Sequence, residues 1–252
     1  MPTNILLSGA NGRLGRAIIN SAPEADCKVT AGVDPTPTVG ELPIYSSLAG
    51  LPDDLKFDCI IDCSHHTAAL PLLDYAKKHK TPVVICTTGH TNEETKAIHD
   101  AANEIPVFFS RNMSVGINLI LMLAKKAASV LGDDFDIEII EKHHNRKLDA
   151  PSGTALLLAN AIKKVREKAF FVLGRSGQGK RHEDEIGIHA VRVGNIVGEH
   201  EIIIGTDTQT ITLKHEASSR SLFAEGAVAA AEFMIGREPG MYDMNDLIAL
   251  NA

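Results

Sequence analysis

The chain has 252 residues, of which 44% are hydrophobic and 23% are charged, a composition typical of folded globular proteins and not of disordered or fibrous ones. Its formal net charge of -7 provides no basic field for a polyanion, so we do not expect nucleic-acid binding. The N-terminus lacks a signal-peptide pattern, and the longest apolar run, around Val115 to Ala124, is shorter than the ~20 residues that cross a bilayer, so we expect a cytoplasmic protein without a membrane segment.

The residues up to about 110 alternate between short β-rich runs and longer stretches with helical spacing, which is typical of parallel βαβ units. Because the strands are continuously hydrophobic, we expect helices on both faces of their sheet. The predicted strands are Asn4–Ser8, Val29–Asp34, Cys59–Cys63, Val83–Thr87 and Val107–Ser110. The predicted helices are Leu14–Ser21, Ala68–His79 and Glu93–Glu104.

The pattern changes after residue 114, where Ser114 can cap a helix that runs to about Leu131. The succession of elements beyond it favours a mixed or antiparallel sheet over a second βαβ array. The Gly174 to Glu185 stretch is rich in glycine and charge, which predicts a mobile surface loop. The other predicted elements are strands at Phe135–His143, Ile186–Arg192, Ile196–Gly205 and Gln209–His215, a helix at Thr154–Lys168, and an Ala-rich helix at Leu222–Ile235 that can return to the first domain.

A glycine-rich turn follows the first predicted strand and precedes a helical stretch. Its spacing is G-x-x-G-x-x-G, whereas the commoner dinucleotide motif is G-x-G-x-x-G. Glycine lets the backbone approach a pyrophosphate closely, and a helix N-terminus offers N–H groups and the positive end of a dipole. A plain tight turn is the alternative for this motif taken alone. The residues predicted to contact a dinucleotide here are Gly9, Ala10, Asn11, Gly12, Arg13 and Leu14.

An acidic residue, Asp34, ends the second predicted strand, 19 residues after Gly15. Dinucleotide-binding folds place a carboxylate there to accept hydrogen bonds from the ribose hydroxyls. Such a carboxylate repels a 2′-phosphate, and the next residue is Pro35 rather than a basic one, so we expect NADH to be favoured. Arg13 could still pair with a 2′-phosphate, which leaves NADPH open.

Two more strand ends are expected to line the same crevice, because ligands of open α/β sheets bind at the carboxyl ends of the strands. Their backbone groups could border the nicotinamide, although each segment taken alone could be an ordinary loop. The predicted contact residues are Cys86, Thr87 and Thr88 after the fourth strand, and Ser110, Arg111, Asn112 and Met113 after the fifth.

The most specific segment, E-K-H-H-N-R-K-L-D-A-P-S-G-T-A, runs from Glu141 to Ala155 between a predicted strand and a helix. Ser152, Gly153 and Thr154 open that helix, so their N–H groups and hydroxyls can hold a carboxylate. The segment therefore predicts an anion-binding site.

Three basic side chains accompany this site. His144 and Lys147 add positive or hydrogen-bonding groups. A histidine such as His143 changes charge near neutral pH, and burial or neighbouring cations can tune a lysine, so His143 and Lys147 suit proton transfer. We expect no metal, because no cysteine, histidine and carboxylate set at metal-ligand spacing accompanies the paired histidines. The second pair, His65-His66, is interpreted as structural or cofactor-adjacent.

The four cysteines lie in apolar, strand-like runs and lack both disulfide-scaffold and C-x-x-C spacing. We expect them to be buried core thiols in a reducing compartment. They are Cys27, Cys59, Cys63 and Cys86.

The segment from His143 to Ala155 resembles the signature of the dihydrodipicolinate reductase family, in which paired histidines and a lysine precede D-A-P-S-G-T-A. The resemblance spans nearly the whole chain. Further matches are GxxGRxG at Gly9–Gly15, T-T-G at Thr87–Gly89, N-M-S-x-G-x-N at Asn112–Asn118, V-R-x-G-x-I-V-G-E-H at Val191–His200 and A-S-S-R at Ala217–Arg220. Two departures bear on the cofactor: the family often has glycine where Cys86 stands and a basic residue where Pro35 stands.

The resemblance implies an α/β protein with a Rossmann-like parallel-sheet domain and a smaller α+β domain with a mixed sheet. The expected dinucleotide-binding domain comprises residues 1–114 and 222–252, and residues 115–221 form the substrate-binding and oligomerisation domain. The implied reaction reduces 4-hydroxy-tetrahydrodipicolinate, a small dicarboxylated heterocycle, to tetrahydrodipicolinate with NADH or NADPH and loss of water, in diaminopimelate and lysine biosynthesis. A homotetramer is implied by the family alone.

By position in the family motif, His143 is the general acid/base and Lys147 a proton donor, while His144, Gly153 and Thr154 bind the substrate carboxylates. Two other functions stay open on the sequence. A related two-domain sugar or amino-acid dehydrogenase would carry an E-K element like Glu141-Lys142, but the proline that usually follows is His143 here. A non-catalytic NAD sensor would not need the basic segment.

Overall fold

The computed structural model describes residues 2–38 and 40–249. The chain divides into two compact units, one formed by Met1–Val115 with Ser221–Ala252 and the other by Gly116–Arg220. Within the described residues, no helix has the length and apolar character that a bilayer crossing requires.

The strands and helices follow one another along the chain in βα succession at first and in strand-rich succession later. The strands are β1 (Thr3–Ser8), β2 (Cys27–Val33), β3 (Ile44–Tyr45), β4 (Cys59–Asp62), β5 (Val83–Ile85), β6 (Pro106–Phe109), β7 (Asp136–His143), β8 (Phe170–Leu173), β9 (Glu185–Arg192), β10 (Gly198–Gly205), β11 (Thr210–Ala217) and β12 (Gly240–Tyr242). The helices are α1 (Arg13–Ser21), α2 (Ala69–His79), α3 (Asn92–Ala101), α4 (Val115–Leu131), α5 (Gly153–Lys163), α6 (Ser221–Met234) and α7 (Met244–Ala249).

The first unit is built on a seven-stranded sheet in the order β12-β6-β5-β4-β1-β2-β3, and all of its pairings are parallel. Successive side chains of a strand point to opposite faces. Accordingly, Ile5 packs in one core cluster with Ile18 of α1, and Leu6 packs in another with Leu72 of α2. The predicted parallel sheet with helices on both faces is confirmed.

The end of the chain completes this first unit. Helix α6 packs against α1, and β12 pairs with the edge strand β6. A side chain at Gly226 of α6 would overlap the carbonyl oxygen of Met113, so this close approach requires glycine. Strands β3 and β12 and helix α7, like β8 of the second unit, were not predicted, because two- to six-residue elements carry too little periodicity to be recognised.

The second unit is built on a five-stranded mixed sheet in the order β11-β10-β7-β9-β8. The central strand β7 is antiparallel to β10 and parallel to β9, which confirms the predicted mixed sheet. One face of the sheet is apolar: Ile137 and Ile139 of β7 pack with Ile202 of β10 and with Leu158 and Ile162 of α5.

The predicted helix at Thr154–Lys168 was wrong at its C-terminal end, since α5 ends at Lys163. Beyond it, Arg166 is buried and donates hydrogen bonds to the carbonyl oxygens of Asp133 and Phe135, both at 2.7 Å. These carbonyls lie in the turn before β7, so a tertiary contact of Arg166 with this turn overrides the local helical spacing.

The predicted surface loop from Gly174 to Glu185 was wrong at its last residue, because Glu185 begins β9 and is buried. Arg175 and Arg181 of the stretch form ion pairs with Glu138 of β7 and with Glu185. These two arginines therefore anchor the stretch to the sheet.

The four cysteines are free, and three of them are buried; Cys63 is partly buried. Burial raises the pKa of the Cys27 thiol to about 11 and raises the pKa values of the other three thiols further. This environment disfavours the reactive thiolate form.

Candidate functional site

The glycine turn of the first unit connects β1 tightly to α1. Gly9 has φ +84°, and a Cβ there would lie 2.7 Å from the Cys63 carbonyl oxygen. A Cβ at Gly15 would overlap the carbonyl oxygen of Gly9. Gly12 precedes α1 and no side chain caps the helix start, so backbone N–H groups there can receive an anion. The turn thus fits the pyrophosphate of a dinucleotide.

The Asp34 carboxylate lies beside this turn. One of its oxygens accepts from the Asn11 amide at 3.1 Å and the other accepts from the Thr36 amide at 3.0 Å. The Asn11 side chain in turn donates to the Thr36 carbonyl at 2.6 Å. The acidic residue and the glycine turn that were predicted separately therefore occupy one place, as a dinucleotide's ribose and pyrophosphate require.

Several other predicted cofactor residues lie in the loops that follow β5 and β6. The side chains of Cys86 and Met113 are buried, at 9% and 3% exposure, so their contribution to a ligand would be through backbone groups. Ser110 donates its hydroxyl to the Asn112 carbonyl at 2.8 Å, which shapes the second of these loops. Thr87 is buried, and its hydroxyl lies 3.5 Å from the Asp62 carbonyl.

The histidine pair after β4 has a local structural contact. His66 Nδ1 lies 2.9 Å from a carboxylate oxygen of Glu94, and this carboxylate also accepts from the Thr91 amide in the capping box of α3. His65 accepts from the Thr67 amide at the following turn. Both rings therefore take part in fixing the start of helical segments.

In the second unit, the buried face of β7 continues from hydrophobic to polar residues. Ile137, Ile139, Glu141 and His143 alternate with more exposed residues, because every second residue of a strand shares a face. Glu141 is fully buried, and His143 is 8% exposed. A carboxylate and an imidazole thus lie at the end of an apolar stripe.

The Glu141 carboxylate accepts four hydrogen bonds. Oε2 accepts from His143 Nδ1 at 2.6 Å and from Arg192 Nη1 at 2.7 Å. Oε1 accepts from the Ser152 amide at 2.9 Å and from Arg192 Nη2 at 2.7 Å. Burial alone would raise the pKa of Glu141, but the hydrogen bonds from Arg192, His143 and Ser152 outweigh it and lower this pKa. Glu141 is therefore a stable buried anion.

Ser152 is occupied by contacts within the protein. Its amide binds Glu141, and its hydroxyl accepts from the Ala155 amide at 3.1 Å as the N-cap of α5. The same hydroxyl lies 3.1 Å from His200 Nε2, and the residue is 2% exposed. These contacts orient Ser152 within the protein, and its predicted contact with the substrate, like those of Gly153 and Thr154, stays a prediction.

His200 of β10 packs edge-on against His143, with ring centroids 5.2 Å apart. Burial first, and then the charge of His143, lowers the pKa of His200 to about 4. His200 is therefore neutral near pH 7, where it supports the His143 ring by packing and binds Ser152.

The loop between β7 and α5 carries the other basic groups. Arg220 lies 3.3 Å from His144 Nε2, while His144 Nδ1 is buried without a hydrogen-bond partner in the described part of the chain. Lys147 Nζ lies 2.8 Å from an Asp149 carboxylate oxygen. The hydrogen bond from Lys147, helped by the Gly153 amide, lowers the pKa of Asp149. An internal carboxylate thus pairs with Lys147, one of the groups predicted to serve the substrate.

Models of protein families match both parts of the chain. The model described as "Dihydrodipicolinate reductase, N-terminus" matches residues 3–113, and "Dihydrodipicolinate reductase, C-terminus" matches residues 116–248. The chain belongs to the dihydrodipicolinate reductase family. The resemblance seen in the motifs is thereby confirmed.

Named relatives cover the chain almost completely. The 4-hydroxy-tetrahydrodipicolinate reductase of Caldanaerobacter subterraneus subsp. tengcongensis is 47% identical over 98% of this chain and 99% of its own. The enzyme of the same name from Clostridium tetani is 44% identical over 97% of this chain and 96% of its own. The structure of a dipicolinate-bound dihydrodipicolinate reductase from Paenisporosarcina sp. TG-14 has the same fold, with a TM-score of 0.82, 24% identity, and coverage of 97% of this chain and 99% of that chain.

Several residues around this dihydrodipicolinate reductase motif were not predicted as site residues. Arg192 and His200 lie within the matched V-R-x-G-x-I-V-G-E-H segment, and Arg220 ends A-S-S-R, but no local pattern shows where their side chains reach. Glu141 had a usable signal, because strict alternation from Ile137 places it on the buried face. A buried carboxylate requires partners, so it marks a site. Among the described residues, no three His, Cys, Asp or Glu side chains group so that they could hold a metal ion.

Proposed function

We propose that this chain is an NAD(P)H-dependent 4-hydroxy-tetrahydrodipicolinate reductase, which forms tetrahydrodipicolinate with loss of water in diaminopimelate and lysine biosynthesis. The observation that carries the proposal is the group of hydrogen-bond donors at the start of α5 beside His143, whose ring is held by a buried Glu141. Relatives that are 44–47% identical and bear this enzyme's name support it.

The substrate carboxylates are gripped by the N-terminus of α5 and the basic loop before it. Gly153 and Thr154 present the first amides of the helix, where the dipole favours an anion. His144 is the third proposed carboxylate-binding residue, and Arg220 lies within hydrogen-bond distance of its Nε2. Lys147 supplies a positive charge once it leaves Asp149.

Proton transfer falls to His143 and Lys147. A bound nicotinamide supplies the hydride that the substrate ring accepts at C4. The imidazole of His143, whose ring lies against the buried Glu141 carboxylate, is the group that exchanges a proton with the substrate. Lys147 donates the proton that the substrate hydroxyl needs to leave as water when its bond to the ring carbon breaks.

The cofactor is proposed to bind the first unit, with NADH favoured over NADPH. The carboxylate of Asp34 is directed to the glycine turn, where it would accept from the ribose hydroxyls and repel a 2′-phosphate. The proposed contacts are Gly9 to Leu14, Asp34, Cys86 to Thr88, and Ser110 to Met113. Titration of both cofactors tests this preference, and tighter binding of NADPH would contradict it.

Oxidation of NADH that depends on freshly made 4-hydroxy-tetrahydrodipicolinate is the decisive assay. We expect turnover with this substrate and none with sugars or amino acids. A sugar or amino-acid dehydrogenase would show the reverse, and a non-catalytic NAD sensor would bind NADH without oxidising it.

We also propose a cytoplasmic homotetramer, on the strength of the family resemblance. Light scattering on the purified protein measures the assembly, and a monomer at micromolar concentration would contradict this part of the proposal.

A further inference from the structure

We propose that Glu141 is a positioning residue that fixes the proton of His143 on Nδ1 and thereby sets Nε2 as the proton-exchanging atom. This inference rests on the proposed function, in which His143 is the acid/base. Glu141 acts through His143 and needs no contact with the substrate or the cofactor.

The geometry allows one arrangement of protons around Glu141. The carboxylate is fully buried, so no bulk water competes for its oxygens. Each oxygen accepts two hydrogen bonds, and three of the four donors, the Ser152 amide and the two Arg192 nitrogens, have no acceptor alternative. The fourth donor is His143 Nδ1, and a carboxylate 2.6 Å away requires that this nitrogen carry a proton.

The groups that face His143 come from each neighbouring segment. Glu141 lies on its own strand, Arg192 is the neighbour of His143 on β9, and His200 packs against its ring from β10. Only Glu141 accepts from Nδ1 among the contacts of this ring that the structure describes. On β10, a Cβ at Gly198 would lie 3.1 Å from Nε2, so glycine there leaves this nitrogen room.

Replacing Glu141 with Gln retains the shape but converts one acceptor oxygen into a donor. If the amide nitrogen of the new side chain occupies the position of Oε1, two N–H donors face each other, because the Ser152 amide cannot lose its proton. If it takes the Oε2 place, His143 can accept at Nδ1 by transferring its own proton to Nε2. The second orientation leaves fewer hydrogen-bond donors without an acceptor than the first. Glu141→Gln should therefore switch the tautomer of His143.

The test begins with the tautomer itself. Nitrogen-15 NMR of the full-length protein, with His143 identified by loss of its signals in His143→Gln, should show Nδ1 protonated in the neutral wild-type ring. In Glu141→Gln, Nε2 should carry the proton. Glu199→Gln is a matched control, because it removes a partly buried carboxylate of the same sheet that pairs with Lys142 and Lys214. A wild-type ring protonated on Nε2 would overturn the inference even if the Gln variant does not fold.

Kinetics supply the second readout. We expect Glu141→Gln to lower kcat by at least about 10-fold with little change in substrate KM or NADH affinity, as for an orienting carboxylate behind a catalytic histidine. Glu141→Asp, which keeps a carboxylate, should recover part of kcat, and Glu199→Gln should match the wild type. Wild-type kcat in Glu141→Gln would refute the positioning role, whereas a wild-type protein inactive on 4-hydroxy-tetrahydrodipicolinate would refute the proposed function.

Discussion

Lys147 lies between two carboxylates in the proposed cycle, that of Asp149 and that of the substrate. Its Nζ is 2.8 Å from Asp149, whose side chain is largely exposed and can move away. An ion pair with one partner largely exposed to solvent, as Asp149 is here, contributes little to stability. Exchange of one carboxylate partner for another therefore has a small energetic cost.

Replacing Lys147 with Ala should lower kcat by about 100-fold or more, because a positioned proton donor contributes a factor of this order. NADH affinity should be nearly unchanged, since Lys147 is not among the proposed cofactor contacts. Steady-state kinetics and NADH titration measure the two effects. Lys214→Ala, which removes an exposed lysine from β11, is the control, and equal activity of Lys147→Ala and the wild type would exclude the proposed role.

The negative charge of Asp34 should determine the preference for NADH over NADPH. Asp34→Asn removes the negative charge but keeps an oxygen that can accept from Asn11. The ratio of NADPH to NADH affinity should rise by about 10-fold, because the repulsion of a 2′-phosphate is lost. Fluorescence titration of both cofactors measures it, with Glu41→Gln, an exposed carboxylate on the following connection, as the control. An unchanged ratio would show that Asp34 does not face the 2′ position.

The turn between β1 and α1 depends on close backbone contact between Gly15 and the carbonyl oxygen of Gly9. Gly15→Ala places a Cβ against the carbonyl of Gly9, and neither backbone segment can yield cheaply. We expect a loss of about 1–3 kcal/mol in the free energy of unfolding, together with weaker NADH binding. Denaturant unfolding and cofactor titration measure these changes. Gly179→Ala, where the added Cβ meets open space, should leave both quantities near wild type.

The elements also show how far the sequence could predict the molecule. Periodicity found β1, β4 and α6 to within a residue or two, because each is long or apolar enough to show its pattern. It failed at the end of α5 and at Glu185, where Arg166, Arg175 and Arg181 bind groups more than 30 residues away in sequence. The glycine turn and the basic segment were visible as motifs. The partnership of Glu141 with Arg192 was not, because strand register determines which residue of β9 lies beside His143.

The buried imidazole of His200 should make the stability of the folded protein depend on pH. Its pKa is lowered to about 4 in the folded state from an ordinary value of 6.5. On acidification the unfolded chain therefore takes up the proton first, and the folded state loses stability as pH falls from about 6.5 toward about 4. Glu138 and Glu141, whose pKa values are lowered, change stability in the same direction at lower pH.

Denaturant unfolding at a series of pH values measures this dependence. The wild type should lose up to about 1.4 kcal/mol per pH unit through His200 in that range. His200→Gln should have a shallower slope, whereas His182→Gln, which replaces a largely exposed ring, should keep the wild-type slope. Equal slopes in all three proteins would contradict the assignment of a neutral, buried His200.

The order of synthesis gives the discontinuous first unit a particular vulnerability. Helix α6 and strand β12 belong to it, yet a ribosome makes them only after the whole of Gly116–Arg220. Until then the nascent parallel sheet leaves β6 as an open edge and lacks the helix that covers one of its apolar faces. The second unit is contiguous and does not depend on segments made later. We therefore expect the chain to need a chaperone most in the interval before α6 and β12 leave the ribosome.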